Sequence, residues 1–460
     1  MGSELRDSRS NRPLWGIGSA LLTAGRVGYR ERLRALWVSE EEREGSAGRV
    51  VTGRLLSVPD WLPGLGGVEP YGRLEADLRD AVLHPDAVLS FAYDWRLGID
   101  RNATLLARAA RAHLKRWRTH PASLRPHEER RDDRLPRLVV VAHSMGGLLV
   151  RAMQAYGDDE EPLDIRAVIT LGTPFEGSVK ALQLINTGAG APLRMPATAT
   201  RDACRTMPGL YDLLPWYRCH LSGDDVVNLT PHNLASVGGD PALVEGAFRR
   251  RNQTKTGILA GHVAVVGTGQ RTAQSVEIRG GEVIAHPFGF RRDSNGELIR
   301  ERGRLVTENH DGDGEVFRHA ARTTTTPGIG FAQQHRALVR ARAALQLVHH
   351  SLTEVDDLGT VLGGTTEDLG LDVADEVRLG EQLEIGIRGT DPARVSCSVE
   401  DTGRRDAVVA RPVVKGRPVD GVVTGRAVID RPGLYRVVIS AGSDQVTKLV
   451  MCGSGDVLRD

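Results

Sequence analysis

Residues 138–147, LVVVAHSMGG, constrain this chain more than any other stretch. Leu138 to Val141 form an unbroken apolar run, as expected of a parallel strand buried on both faces. Leu148, Leu149, Ala152, Met153 and Tyr156 then fall at helical spacing. Between strand and helix lies Ala142-His143-Ser144-Met145-Gly146, a G-x-S-x-G elbow with alanine in place of the first glycine. Such a turn tolerates only small flanking residues and lifts the serine above the sheet. The helix N-terminus then lies beneath any anion that forms there. Ser144 is the expected nucleophile.

A serine nucleophile needs a base and an acid that orients the base, in the chain order Ser, Asp or Glu, His on this kind of sheet. HDGDGEV at 310–316 places Asp311 and Asp313 on a glycine turn, and Asp313 is preferred. QQHRALVRARAAL at 333–345 offers His335 just ahead of a helix. His310 and His319 flank the acid too closely, and His349 and His350 lie late in that helix. His143 is read as structural, facing away from Ser144. In FAYDWRLG at 91–98, Asp94 and Arg96 are positioned to pair with one another or to bind a polar headgroup. Tyr93, Trp95 and Arg96 are therefore carried as substrate-side candidates beside the alternative of an ion pair and a packed indole.

The apolar runs 88–93, 138–142, 167–171 and 263–267 alternate with helical stretches, the pattern of a mostly parallel α/β sheet. Residues 185–260, rich in proline and glycine, are expected to form an irregular lid or cap insertion. The α/β part is taken as 1–354 and an acidic, glycine-rich linker as 355–371. Residues 372–460 contain short strands at regular spacing, read as an all-β immunoglobulin-like sandwich whose partner the sequence does not name.

The net charge of +1 gives no field for nucleic acid or anionic membrane. No run is long enough for a transmembrane helix, and the polar N-terminus lacks a secretory signal pattern, so a cytoplasmic setting is expected. Cys204/Cys219 and Cys397/Cys452 are candidate disulfide pairs, with four reduced thiols favoured in such a setting. No metal-ligand spacing stands out, and neither a metal nor a cofactor is expected.

Taken in order, these segments resemble the lecithin:cholesterol acyltransferase-like family of α/β hydrolases. LPGLGGVEPYGRLEADL at 62–78, FAYDWRLG, AHSMGG, VITLGTPFEGSVKAL at 168–182, MPGLYDLLP at 207–215, DGDGEV and the His335 helix carry the resemblance. It implies an α/β-hydrolase fold, the triad Ser144, Asp313 and His335, and the backbone N–H of Met145 as one of two oxyanion donors. It also implies an acyl-enzyme formed from a lipid ester and passed to an alcohol acceptor or to water. A plain lipase using only water is the alternative activity, and a catalytically silent binding fold is the rival class.

Two departures stand out. Glu315 occupies the place of the threonine in the family's D-G-T-V turn. The family also opens on an apolar strand whose turn supplies the second oxyanion N–H. Here that residue would precede Met1, so the start is expected to lie upstream. Such a donor contributes on the order of 3–4 kcal/mol to transition-state stabilisation.

Overall fold

The computed structural model describes residues 2–16, 29–46, 48–56, 71–130, 135–157, 162–189, 197–293, 297–323, 325–353, 369–404, 407–419, 421–442 and 444–453. The segments 62–70 and 354–368, including most of the expected linker, lie outside the described residues.

β-Branched and leucine residues build a central sheet of four parallel strands. These are β1 (Leu138–His143), β2 (Ile165–Leu171), β3 (His262–Thr268) and β4 (Gly328–Ala332), in the spatial order β4-β3-β2-β1. Side chains alternate between the faces, as a period of two demands. Val168 joins the core beneath helices α1 (Ile99–Arg118) and α2 (Met145–Tyr156). Helix α3 is Val179–Asn186, and Ile169 and Leu171 pack on the other face with Leu345 and Val348 of the last helix of this part. Helix α4 spans Arg342–Thr353. In α1 the buried stripe Ile99, Ala103, Ala107, Ala110 and Leu114 repeats at helical spacing, and its small alanines let α2 lie close.

Three expectations need correction. Residues 88–93 form no ladder, and β1 is an edge strand with no partner on its outer side among the described residues. A run of this kind becomes a strand only when a neighbour completes its backbone hydrogen bonds. For the same reason Val139, Val140 and Val141 are half-buried instead of buried on both faces. Conversely, Gly328–Ala332, short and glycine-containing, is a strand with no clear sequence signal. Third, the 185–260 segment holds regular structure where described, with helices Ala197–Cys204, Pro231–Ser236 and Pro241–Thr254 and an antiparallel pair of strands, His220–Ser222 and Asp225–Val227. Pro208, Pro231 and Pro241 sit at first helical positions, where a missing N–H costs nothing, and Thr230 and Asp240 cap the latter two turns. Met207, Leu210, Tyr211 and Leu214 are buried in the same core as α2.

The N-terminal strand Ser3–Asp7 pairs antiparallel with Pro13–Trp15 and Val50–Leu55. It is tied to the FAYDWR segment by the Tyr93 N–H, which donates to Ser3 Oγ at 3.0 Å. Residues 370–453 form two facing sheets. One contains Gly370–Val373, Gln382–Arg388, Val422–Val428 and Lys415–Val419. The other contains Glu376–Arg378, Asp444–Gly453, Gly433–Ala441, Val395–Asp401 and Ala407–Ala410. Leu383, Ile385 and Ile387 face Val437, Ile439, Val446 and Val450 in their shared core. All four cysteines are buried free thiols. No helix among the described residues is long and apolar enough to cross a membrane.

Arg96 sits wholly inside, at 0% exposure. Its Nε and Nη2 donate to Asp94 at 3.0 and 2.7 Å, Nη2 also reaches Glu42 at 3.1 Å, and Nη1 donates to Leu36 O and Trp37 O. The guanidinium is thus the hub that fixes three segments. Arg96→Leu leaves two buried carboxylates uncompensated and is expected to cost about 3–5 kcal/mol, read by urea unfolding. A loss below about 1 kcal/mol would contradict the hub role.

Candidate active site

Every component of the site sits at the carboxyl end of the sheet. Ser144 caps β1 with φ +53° and ψ −131°, a strained conformation that few residues other than glycine adopt. Its N–H donates to Leu171 O at 2.9 Å, holding the elbow against β2. A Cβ at Gly147 would lie 2.2 Å from Thr173 Oγ1, so only glycine fits there. At Gly146 the nearest atom to such a Cβ is Ala142 Cβ at 3.7 Å, so alanine in place of the first glycine is tolerated. Met145 opens α2, where backbone N–H groups have no intrahelical acceptor and the helix dipole favours an anion.

His335 follows β4 on a short 3-10 turn, at 4% exposure. Its Nε2 lies 2.9 Å from Ser144 Oγ and its Nδ1 lies 2.7 Å from Asp313 Oδ2. With a carboxylate at Nδ1, the proton of the neutral ring belongs there, and Nε2 is left to accept from the serine hydroxyl. Asp313 Oδ1 accepts from the N–H groups of Glu315 and Val316 at 2.9 and 2.7 Å. The His335 N–H donates to Asp313 O at 2.8 Å, so acid and base are joined through backbone and side chain alike. The structure therefore brings Ser144, Asp313 and His335 into one chain of hydrogen bonds. Asp311 turns away to an ion pair with Arg388.

The route by which Asp313 reaches the site was not legible in the sequence. A long excursion follows β3, and residues 312–313 return to bridge Gln270 at that strand's carboxyl end. Gly267 makes room, since a Cβ there would lie 2.3 Å from Asp313 Cβ. Gln270 is fully buried and uses its whole amide. Nε2 donates to Thr268 O and Leu369 O, while Oε1 accepts from Gln334 Nε2 and Leu371 N. Gln333 Nε2 donates to Gln445 O, and Arg388 Nη2 donates to Gly269 O. The C-terminal sandwich thus grips the two loops that present acid and base. Gln270, Gln333 and Gln334 gave no sequence signal, because a buried glutamine reads as an ordinary polar residue.

His143 supports the base from behind. Its Nδ1 accepts from Tyr71 Oη at 2.9 Å and its Nε2 donates to His335 O at 3.1 Å. Burial, reinforced by the neighbouring His335, holds its pKa well below the usual histidine range, so the ring is neutral. At His335 burial also disfavours the charged ring, but the carboxylates of Asp313 and Glu315 outweigh it and raise the pKa.

The substrate-side expectation for the FAYDWR run is corrected. Arg96 is enclosed and its donors are taken up within the protein. The Trp95 Nε1–H donates to Ser3 O at 3.4 Å, and its ring meets Trp15 edge-on at 5.2 Å. Tyr93 is half-buried against Phe91, and burial pushes its phenol pKa up.

A second polar cluster, His84, Asp86 and His120, has metal-ligand chemistry. However, Nδ1 of each histidine accepts a backbone N–H, from Asp86 and Ala122 respectively. In the neutral ring that fixes the proton on Nε2, so neither ring offers Nε2 as a ligand atom.

A parallel sheet with helices on both faces and a serine elbow at its carboxyl end defines an α/β hydrolase. Within that class the resemblance read from the motifs holds: residues 66–238 match the family model described as Lecithin:cholesterol acyltransferase. Among solved structures, the chain is similar to one in the Tle4–Tli4 complex at 13% identity and a TM-score of 0.47, covering 77% of this chain and 97% of that one. It is also similar to phospholipase PlaB from Legionella pneumophila at 13% identity and a TM-score of 0.30, covering 83% and 87%. A third likeness is to Bacillus licheniformis lipase BlEst2 in its propeptide form, at 13% identity and a TM-score of 0.26, covering 76% and 64%. At these scores the likenesses decide nothing about activity. No curated protein matches the chain.

A base at His335 accepts a proton only when the ring is neutral, so with its pKa raised, ester turnover is expected to be present above that pKa and lost as pH falls through it. The acidic limb of kcat/KM is expected above the usual histidine range, read from a pH series of ester turnover. A limb in the ordinary carboxylate range would contradict this electrostatic setting.

Proposed function

We propose that the protein is a serine-dependent lipid ester hydrolase or acyltransferase working through an acyl-enzyme. The observation that carries the reading is the pair of contacts at His335, 2.9 Å to Ser144 Oγ and 2.7 Å to Asp313 Oδ2. His335 Nε2 takes the Ser144 proton as Oγ attacks the ester carbonyl. The Met145 N–H stabilises the oxyanion, and Asp313 stabilises the imidazolium that forms. His335 then returns the proton to the leaving alcohol. The lipid class of the substrate is supported by the family match over residues 66–238.

We also read the C-terminal sandwich as immunoglobulin-like. Its support is a tyrosine that folds back on its own strand entry, with the Tyr435 hydroxyl donating to Arg431 O at 2.9 Å. In this reading the sandwich serves as a brace for the acid and base loops.

The test is fatty-acid release from phosphatidylcholine vesicles and from triacylglycerol emulsions. Ser144→Ala is expected to lower turnover by at least about 10³-fold at unchanged folding. Retained turnover in that variant would overturn the reading.

A further inference from the structure

Glu315 is a second carboxylate at the base, on the side where the reaction occurs. Asp313 faces Nδ1, whereas Glu315 Oε2 lies 3.9 Å from Nε2, the atom that exchanges protons with Ser144. Its other oxygen is anchored by Lys180 Nζ at 2.7 Å, and Arg336 Nε lies 3.8 Å away. The backbone is pinned as well. Glu315 N–H donates to Asp313 Oδ1, and Glu315 O accepts from Ser178 Oγ at the cap of α3. Burial favours the neutral acid, but Lys180, His335 and Arg336 outweigh it and hold the carboxyl well below its usual range. The group is therefore an anion, and 28% of its side chain reaches solvent.

We infer that Glu315 selects water over simple alcohols as the group that resolves the acyl-enzyme, making the protein a hydrolase in the main. This rests on the serine mechanism proposed above. The nucleophile of the second step must donate a hydrogen to His335 Nε2. An oxygen at hydrogen-bond distance, about 2.8 Å, from both Nε2 and Glu315 Oε2 subtends roughly 90° between them, close enough to the two O–H directions of water. Water thus has a hydrogen for each acceptor. A monohydric alcohol has one hydrogen, which goes to Nε2, and its carbon is then turned toward an anchored carboxylate that loses a donor. Loss of a hydrogen bond to a charged acceptor is strongly unfavourable in a partly enclosed site.

The step balances without any further reagent. The bond between the acyl carbon and Ser144 Oγ breaks, and one between that carbon and the water oxygen forms. The proton leaves water for His335 Nε2 and passes to Ser144 Oγ, so a fatty acid and the free enzyme result. Glu315 holds the water and undergoes no net change.

The experiment is product partition. The full chain is given a p-nitrophenyl ester of a medium-chain fatty acid in buffer containing n-butanol, and butyl ester and free acid are quantified by mass spectrometry. The parent is expected to yield mostly acid. Glu315→Leu is expected to raise the ester-to-acid ratio at least about tenfold. Glu315→Gln, which keeps a neutral acceptor, is expected to fall between the two. Fluorophosphonate labelling of Ser144 in each variant certifies a folded, activated site, and Glu315→Gln keeps the side-chain shape should Glu315→Leu fail to label. An unchanged ratio in any labelled variant overturns the inference, as does a parent that already sends most acyl groups to butanol. Absence of both labelling and turnover in the parent would instead strike at the serine mechanism itself.

Discussion

The buried contact between His335 and Asp313 is the constraint around which the rest of the site is arranged. A carboxylate at 1% exposure beside an imidazole at 4% is tolerable only when each polar atom has a partner. Asp313 meets that demand with two backbone N–H groups at one oxygen and the ring at the other. The same demand explains why the loops carrying the pair are held so closely. Gly267 makes room for the acid, and the neutral His143 fixes the base's carbonyl. Gln270, Gln333 and Gln334 lock both loops to the C-terminal sandwich.

This arrangement gives the sandwich a physical role that its own residues do not advertise. Its described residues hold no catalytic cluster, yet they supply backbone acceptors and donors at Leu369, Leu371, Gln445 and Thr447 where buried glutamine side chains would otherwise be unpartnered. An unsatisfied buried amide is costly, so the two parts of the chain are coupled through the acid and base loops. Arg96 performs the comparable task on the opposite flank, tying the FAYDWR segment to Leu36, Trp37 and Glu42.

What was legible in the sequence was what is local. The elbow is written in ten consecutive residues, because β-branched residues, a serine and two glycines can satisfy a strand-to-helix turn in only one way. Asp313 and His335 were found by chain order and by loops with the right turn residues. Residues 88–93 show the limit. The apolar run is present, but a strand exists only with a neighbour, and no described strand pairs with it. Proline misled in the 185–260 segment, since Pro231 and Pro241 start helices there. The YDWR run drew attention for its charges, whereas burial makes Arg96 a structural hub. Glu315 was visible as a departure from the family turn, but its approach to His335 Nε2 depends on the fold, and its anchor at Lys180 is a contact across 135 positions of chain.

The central claim is that Ser144 is made nucleophilic by His335. Its most direct test is to treat the full chain and its His335→Ala variant with a fluorophosphonate and locate the adduct by peptide mass mapping. The account predicts one equivalent of phosphonate on the peptide containing Ser144, and none on the variant over the same time. An unmodified parent, or an adduct on any other residue, would contradict it.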